Sequence, residues 1–285
     1  MMKKLRVYFL LFLIPFFCHA QDDLLEDLEE GMTTDAYAEA AFKGLKIVNF
    51  ESTKLVAKRD FYFVVSHRFG SIKNGIDDFF GLDQAVTRLQ FIFGISDGFN
   101  VAVSRSSYQK TYGIAVKYRL TRQKDDGFPF TVAGYHQMAI NTALDKDLLP
   151  GLEFKHRLSY THQLLISRKF SKDLSLQLMP TYFHENYVTY DPQENSQLAI
   201  GVGGRYKLSS RWSINADYGF HLNRASGSPF KNPLSIGFDL ETGGHVFQLH
   251  FTNAQPMFES GFLGQAVGDW TKGVIYFGFN LSRVF

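Results

Sequence analysis

The residues able to do chemistry are scattered along this sequence rather than gathered. It holds nine histidines, one cysteine and 28 carboxylate side chains. His156 and His162 lie six positions apart, ~20 Å along a strand at about 3.3 Å per residue, so they cannot share one metal ion. His136 and His156 flank the 141–153 stretch and could meet across a hairpin as a surface metal pair. The plainer reading is a set of rim histidines in a polar headgroup zone. Ser107-Tyr108-Gln109-Lys110 matches a bare S-x-x-K, but the companion motifs of serine–lysine enzymes are absent. A lipid-facing hydrolase needs a serine and a histidine on one outward face within ~3 Å, plus an orienting partner. The strand serines Ser104, Ser106, Ser159, Ser167, Ser213 and Ser235 fall mostly on the opposite face. Asp77, Asp78, Asp83, His184, Glu185 and Asp191 lie in or beside outer-loop sequence, which leaves a rim protease as the third reading. Gly201-Val202-Gly203-Gly204 sits inside a strand pattern with no helix start and no Gly-Lys-Ser/Thr ending, so it is not a phosphate loop. The expectation is no enzyme, no catalytic residue, no cofactor and no metal.

The elements that carry these residues follow from periodicity. Lys3, Lys4 and Arg6 precede an apolar run from Val7 to Phe17 and then Cys18-His19-Ala20, the order of a cleaved export signal over 1–20. The run is shorter than the ~20 residues of a spanning helix. Removing the signal takes three of 30 basic residues and leaves a nearly neutral chain with 28 acidic ones and no cysteine. That excludes disulfide staples and thiolate metal sites, and gives no basic excess for nucleic acid. Residues 21–58 read as an acidic periplasmic leader. Asp22 to Glu30 puts Leu24, Leu25 and Leu28 on one helical face, as a flexible or helical tether or as a plug or partner-docking helix. Phe42 to Glu51 reads as a short strand or a segment returning against the wall.

From residue 59 onward the sequence alternates at period two. Twelve strands are expected, at about 59–70, 85–95, 99–106, 111–122, 129–140, 154–170, 174–184, 196–207, 212–222, 234–241, 245–252 and 273–285. Short connections such as Ser96-Asp97-Gly98 and Thr242-Gly243-Gly244 alternate with long ones such as 71–84, 141–153 and 253–272. Aromatics recur near the ends of apolar faces, as at Tyr112, Tyr160, Phe170, Tyr206 and Trp212. The fold class expected is all-β: an antiparallel, up-and-down, membrane-spanning barrel of about 12 strands over 59–285, with a short N-terminal leader.

Ser66-His67-Arg68-Phe69-Gly70, Phe80-Gly81-Leu82-Asp83-Gln84-Ala85, Arg105 to Tyr112 and Ser282-Arg283-Val284-Phe285 carry a likeness to a known group. From about Thr34 onward the chain resembles a family of uncharacterised outer-membrane β-barrels typical of Bacteroidota-type bacteria. The resemblance implies a cell outer-membrane barrel and transfers no functional residue. The last strand also looks like the signal read by the barrel-assembly machinery, with Phe277, Phe279 and Leu281 before Phe285, while Arg283 breaks the apolar face.

If the apolar faces meet lipid, the interior receives Arg88, Gln90, Asn100, Ser104, Lys117, Arg119, Arg157, Gln197, Arg205, Lys207, Asn215, Asp217, Asp239 and Glu241. Such a wall suits a narrow pore for small polar solutes. Ala199, Gly201 and Gly203 on one inward row leave room for a cavity or mark strand curvature. The alternative is a closed structural or anchoring barrel that binds another envelope protein through its leader or long loops. Beyond these, the partners expected are the lipid bilayer and the assembly machinery.

Overall fold

The computed structural model describes residues 37, 38 and 40–285. The export signal and the acidic stretch 22–30 lie outside the described residues. Twelve strands form the wall: β1 Phe61–Ser71, β2 Ala85–Ser96, β3 Phe99–Ser106, β4 Tyr112–Thr121, β5 Thr131–Ile140, β6 Leu158–Lys169, β7 Leu174–Glu185, β8 Ser196–Lys207, β9 Trp212–His221, β10 Leu234–Thr242, β11 His245–Thr252 and β12 Tyr276–Val284. Each pairs antiparallel with the next, and β1 pairs with β12, so the sheet closes into a barrel. Closure leaves no strand edge unpaired, which is the condition for strands to cross lipid.

The alternation sorts side chains to two surfaces. On β7, Leu176 and Leu178 point outward while Ser175, Gln177 and Thr181 are buried inside. On β10, Ile236 and Phe238 point outward while Ser235 and Asp239 are buried. The β1–β12 seam is closed by main chain and by rings. Phe285 N–H donates to the Phe61 carbonyl at 2.9 Å. Outside it, Phe69 stacks on Phe277 at 5.7 Å, His67 on Phe279 at 5.3 Å, and Phe61 lies 5.7 Å from Phe285. Leu281 shares that outward face, and the Arg283 guanidinium lies 4.6 Å from the Phe285 ring.

Two strand boundaries differ from the sequence reading. The strand expected from 154 begins at Leu158. Its lead-in Phe154–Arg157 is a tight turn, capped by Glu153 and His156 bonding to each other's backbone. The partner strand stops at Ile140, opposite Leu158, so residues 154–157 have no ladder to join. The strand expected from 273 begins at Tyr276, because Gly273 takes a left-handed conformation at φ 68° and Val274 is tied back to Asp269.

The larger difference concerns the interior. Residues 41–56, expected as the end of a periplasmic leader, with 42–51 as a strand or a segment on the wall, lie within the barrel, all but Lys43 and Lys54 buried. The 253–272 connection, expected as an outer loop, also folds inward over 253–266. Its short helix α1, Glu259–Gly264, is buried throughout. The hydrophobic core of the molecule therefore lies in the lumen, where Phe42, Ile47, Phe50, Phe262 and Leu263 pack among inward residues of the wall.

The outward parity makes a direct prediction. Leu178→Arg, near the middle of β7, should destabilise the barrel by ~2–4 kcal/mol in denaturant titrations from lipid vesicles, the cost of a cation on a lipid face at the bilayer midplane.

Candidate functional site in the lumen

Residues 40–57 form an irregular hairpin whose two ends lie at the short-turn end of the barrel. Ala38 N–H bonds the Gln123 carbonyl beside the β4–β5 turn, and Lys58 N–H bonds Asp97 in the β2–β3 turn. The tip is a turn at Lys46–Glu51, where Ile47 N–H donates to the Phe50 carbonyl at 2.8 Å. Because the hairpin joins no sheet, its backbone groups need other partners, and side chains of the wall supply them. The Asp217 carboxylate accepts three successive amides, Val48 at 3.0 Å, Asn49 at 2.7 Å and Phe50 at 3.1 Å. Gln248 donates to the Lys46 and Ile47 carbonyls, and Asn280 donates to that of Val48 at 3.0 Å. The Asn49 side chain donates to Ser235 and Thr252 and accepts from Arg68 at 3.0 Å.

The returning limb is held the same way. Gln177 accepts from Thr53 N–H and donates to the Glu51 carbonyl. Thr53 Oγ1 lies 2.6 Å from Ser167 Oγ. The Asn100 amide bonds both the N–H and the carbonyl of Val56, at 2.8 and 3.0 Å.

At the centre sits a buried charge cluster. Glu51 is bracketed by Lys46 at 2.8 Å and Lys117 at 2.7 Å, and Lys46 is also 3.8 Å from Glu259 of α1. Burial alone would raise the Glu51 carboxyl, but the two ammonium groups outweigh it and bring it down to about 2. Glu259 is pushed up by burial, with Lys46 and Arg88 pulling the other way. Tyr135 Oη donates to Glu259 at 3.4 Å, and Arg88 bonds the Met257 carbonyl and Ser104. The hairpin from one end and the inward loop from the other thus meet on shared charges. They also share apolar contact, since Phe50 lies edge-on to Phe262 at 4.8 Å. Two cavities beside the insertions are water-sized, about 20 Å³ next to Glu185 and Gln265 and about 10 Å³ next to Gln90 and Gln248.

Of the residues expected to line the lumen, Arg88, Gln90, Asn100, Lys117, Gln197, Arg205, Asn215, Asp217 and Asp239 are buried on the inner face of the wall. Gln197 donates to Glu185, Arg205 to Ser213, and Asp239 accepts from Gln248. Ser104 and Lys207 are half-buried on that face, and Glu241 lies 3.7 Å from Lys43. Arg119 sits half-buried at the short-turn rim beside Tyr37 and Arg122. Arg157 belongs to the turn before β6 and bonds the Asn141 carbonyl. Sequence reasoning missed Lys46, Glu51 and Glu259. A signal was present, because Phe42, Leu45, Ile47, Val48 and Phe50, and again Phe258, Phe262 and Leu263, are too apolar for exposed connections. The His136–His156 pair does not form. His156 caps its own turn, and His136 meets His162 on the outer surface.

The inward small residues have a specific use. A Cβ on Gly201 would lie 2.6 Å from the Phe50 ring, one on Gly203 2.8 Å from Ile47, and one on Gly219 2.8 Å from Leu263. The space they leave is taken by the insertions. Gly201→Leu should therefore expel Phe50 and loosen the hairpin by about 1–3 kcal/mol, the usual cost of overpacking. The measurement is proteolysis of residues 41–57 in the folded barrel, which should become several-fold faster.

Several solved structures are similar to this chain at low identity. The chain is 12% identical to the NanC porin (TM-score 0.49, covering 79% of this chain and 98% of that one) and 8% identical to the KdgM porin (0.48, 79% and 99%). It is 9% identical to the outer-membrane protein Omp33 of Acinetobacter baumannii (0.45, 80% and 99%). No match was found among curated proteins. The family model described as a membrane-bound β-barrel domain, DUF5777, matches residues 42–285, which takes in the inserted hairpin as well as every strand, and the chain belongs to that family.

Proposed function

We propose that this protein is an outer-membrane barrel for the passage of small polar solutes, closed in the described conformation by its own hairpin and gated by that hairpin's departure. The observation that carries the reading is the nature of the wall behind the filling. Every strand places at least one polar or charged residue on the inner face, including Arg88, Lys117, Gln177, Arg205, Asp217 and Gln248, beside apolar ones such as Leu165 and Met179. A wall made only to surround a fixed core would be apolar. Here the hairpin is bound by side-chain hydrogen bonds and a carboxylate between two ammonium groups, with no covalent link and no strand ladder. Once it leaves, the same groups face water and set a field for charged solutes.

A second reading, a closed anchoring barrel, draws on the filled lumen itself. Planar-bilayer recordings separate the two. Thr53→Cys with Ser167→Cys places two thiols where the hydroxyls are 2.6 Å apart. The oxidised form should carry no current, and reduction should restore openings. Glu51→Gln removes the carboxylate that Lys46 and Lys117 share, leaving Lys46 with the more distant Glu259 and Lys117 with backbone carbonyls only. Breaking such a buried charge set costs roughly 3–5 kcal/mol, so open probability should rise at least about tenfold. Silence from every variant, loosened ones included, would leave the anchoring reading.

The pH dependence has a defined sign. The Glu51 carboxyl is at about 2 with the hairpin seated, against 4.5 unperturbed. Its contribution to seating is complete above pH 4.5 and is lost as pH falls towards 2. Openings should therefore increase through that window, and Glu51→Gln should remove the dependence. Glu259, raised by burial, works oppositely and favours insertion of α1 as it gains its proton.

A further inference from the structure

The outer surface carries a row of polar side chains where the alternation calls for apolar ones. Tyr118 of β4, His136 of β5, His162 of β6 and Tyr182 of β7 all point away from the lumen. Tyr118 Oη lies 3.0 Å from His136 Nε2, and His136 Nδ1 lies 2.6 Å from His162 Nδ1. The His162 ring stacks on Tyr182 at 6.1 Å and 12°. Tyr182 Oη then meets Ser196 Oγ at 3.1 Å, and His184 Nδ1 meets the same oxygen at 2.9 Å. The row crosses five strands and ends at Ser196, where β8 starts at the long-loop end. Ionisable groups facing hydrocarbon are costly and mark function by default.

The same stretch of wall is dented. Tyr118 lies over Gly134, where a Cβ would come within 2.5 Å of its ring. Pro180 on β7 can give no ladder hydrogen bond, and the β6–β7 pairing is interrupted between Gln163↔Thr181 and Ile166↔Leu178. The result is a groove of about 540 Å³ with His136 and His162 at its polar edge. Its apolar floor is Leu164, Pro180 and Ile200. Each floor residue lies two positions from His162, Tyr182 or Leu198, towards the short-turn end. Polar groups thus sit nearer the long-loop end and apolar ones nearer the middle of the wall, the orientation of an amphiphile in that half of a bilayer.

We propose that this groove binds a single-chain carboxylic amphiphile, a long-chain fatty acid, with its acid group at His136 and His162 and its chain along Leu164, Pro180 and Ile200. The volume falls within the ~300–1,000 Å³ of small-molecule sites. The His162 ring is exposed into the groove, and its Nε2 has no protein partner among the described residues, so it is free to meet an acid. A second copy of the barrel fits less well, because two convex walls touch along a line and would leave the dent empty. The inference is independent of the gated-pore reading, which concerns the other face of the same strands.

The test uses the full chain in nanodiscs of zwitterionic phospholipid with a diazirine-bearing palmitic acid, followed by peptide mapping. Crosslinks should concentrate on 158–185 and 196–207, and palmitic acid should compete while methyl palmitate should not. His136→Phe with His162→Phe should cut labelling about tenfold, the worth of a charge-assisted hydrogen bond. Tyr182→Phe, which keeps the ring, guards against loss through misfolding, as does a gel-mobility check of the folded barrel. Labelling spread evenly round the wall would overturn the proposal, as would equal competition by the ester or no response to the histidine changes. So would a histidine-dependent dimer in native mass spectrometry that takes up no probe.

Discussion

Closing twelve strands in lipid creates the problem that the rest of this molecule answers. The wall must be closed so that every strand backbone is paired, and period-two alternation then sends half of the side chains inward. In a barrel of about eight strands those side chains fill the interior, and in one of 16–18 they leave a channel. At twelve, the wall's own residues do not fill the space, so it takes either water or more chain. Here it takes chain, entering from both ends. The wall has been cut to receive it, with Gly201, Gly203 and Gly219 standing where larger residues would collide with Phe50, Ile47 and Leu263.

How the filling is held bears on whether it can leave. A typical intramolecular hydrogen bond contributes only ~0.5–1.5 kcal/mol net, because the separated groups would bond to water instead. The bracket of Glu51 by Lys46 and Lys117 is likewise weak evidence for strength, since the charges lose hydration on burial. Its effect is on position: a single carboxylate between two ammonium groups, with Asp217 gathering three successive amides, permits one seating of the tip. Apolar packing of Phe50 against Phe262 supplies the non-directional part, and it joins the hairpin to the inward loop. The polar contacts between filling and wall can be exchanged for water when the two separate. The apolar contacts, Phe42, Ile47 and Phe50 against the wall and α1, set the cost of that separation, because they expose hydrocarbon to water.

Much of the wall was legible in the sequence because strand periodicity is local. All twelve strands lie where alternation put them, and the misplaced ends, at 154 and 273, are where a cap and a left-handed glycine override it. The inward side of Arg88, Lys117 and Asp217 followed from the same parity. The occupants of the lumen did not, because nothing local says that Phe42 to Phe50 folds back inside a wall whose contacts with it reach 232 positions along the chain, from Val48 to Asn280. Composition held a hint: those stretches carry more apolar residues than exposed connections need. Once the hairpin is inside, Glu51 must find cations there. Lys117 was already assigned to the interior and Lys46 comes with the hairpin itself.

Parity also shows where to look for what the wall does. A residue that obeys it, such as Leu178 outward or Gln177 inward, is accounted for by lipid on one side and polar lumen on the other. Residues that break it need a partner of their own. Inside, the breaks are the glycines, Ala199, Leu165 and Met179, and their partner is the inserted chain. Outside, they include His67 and, gathered in one row, His136, His162 and the tyrosines beside them. Lipid chains cannot hydrogen-bond these groups, and they only partly satisfy one another. The physical demand that explained the hairpin, that a group at odds with its surroundings be matched by something brought to it, therefore applies on the outer face too. There the match must come from the membrane.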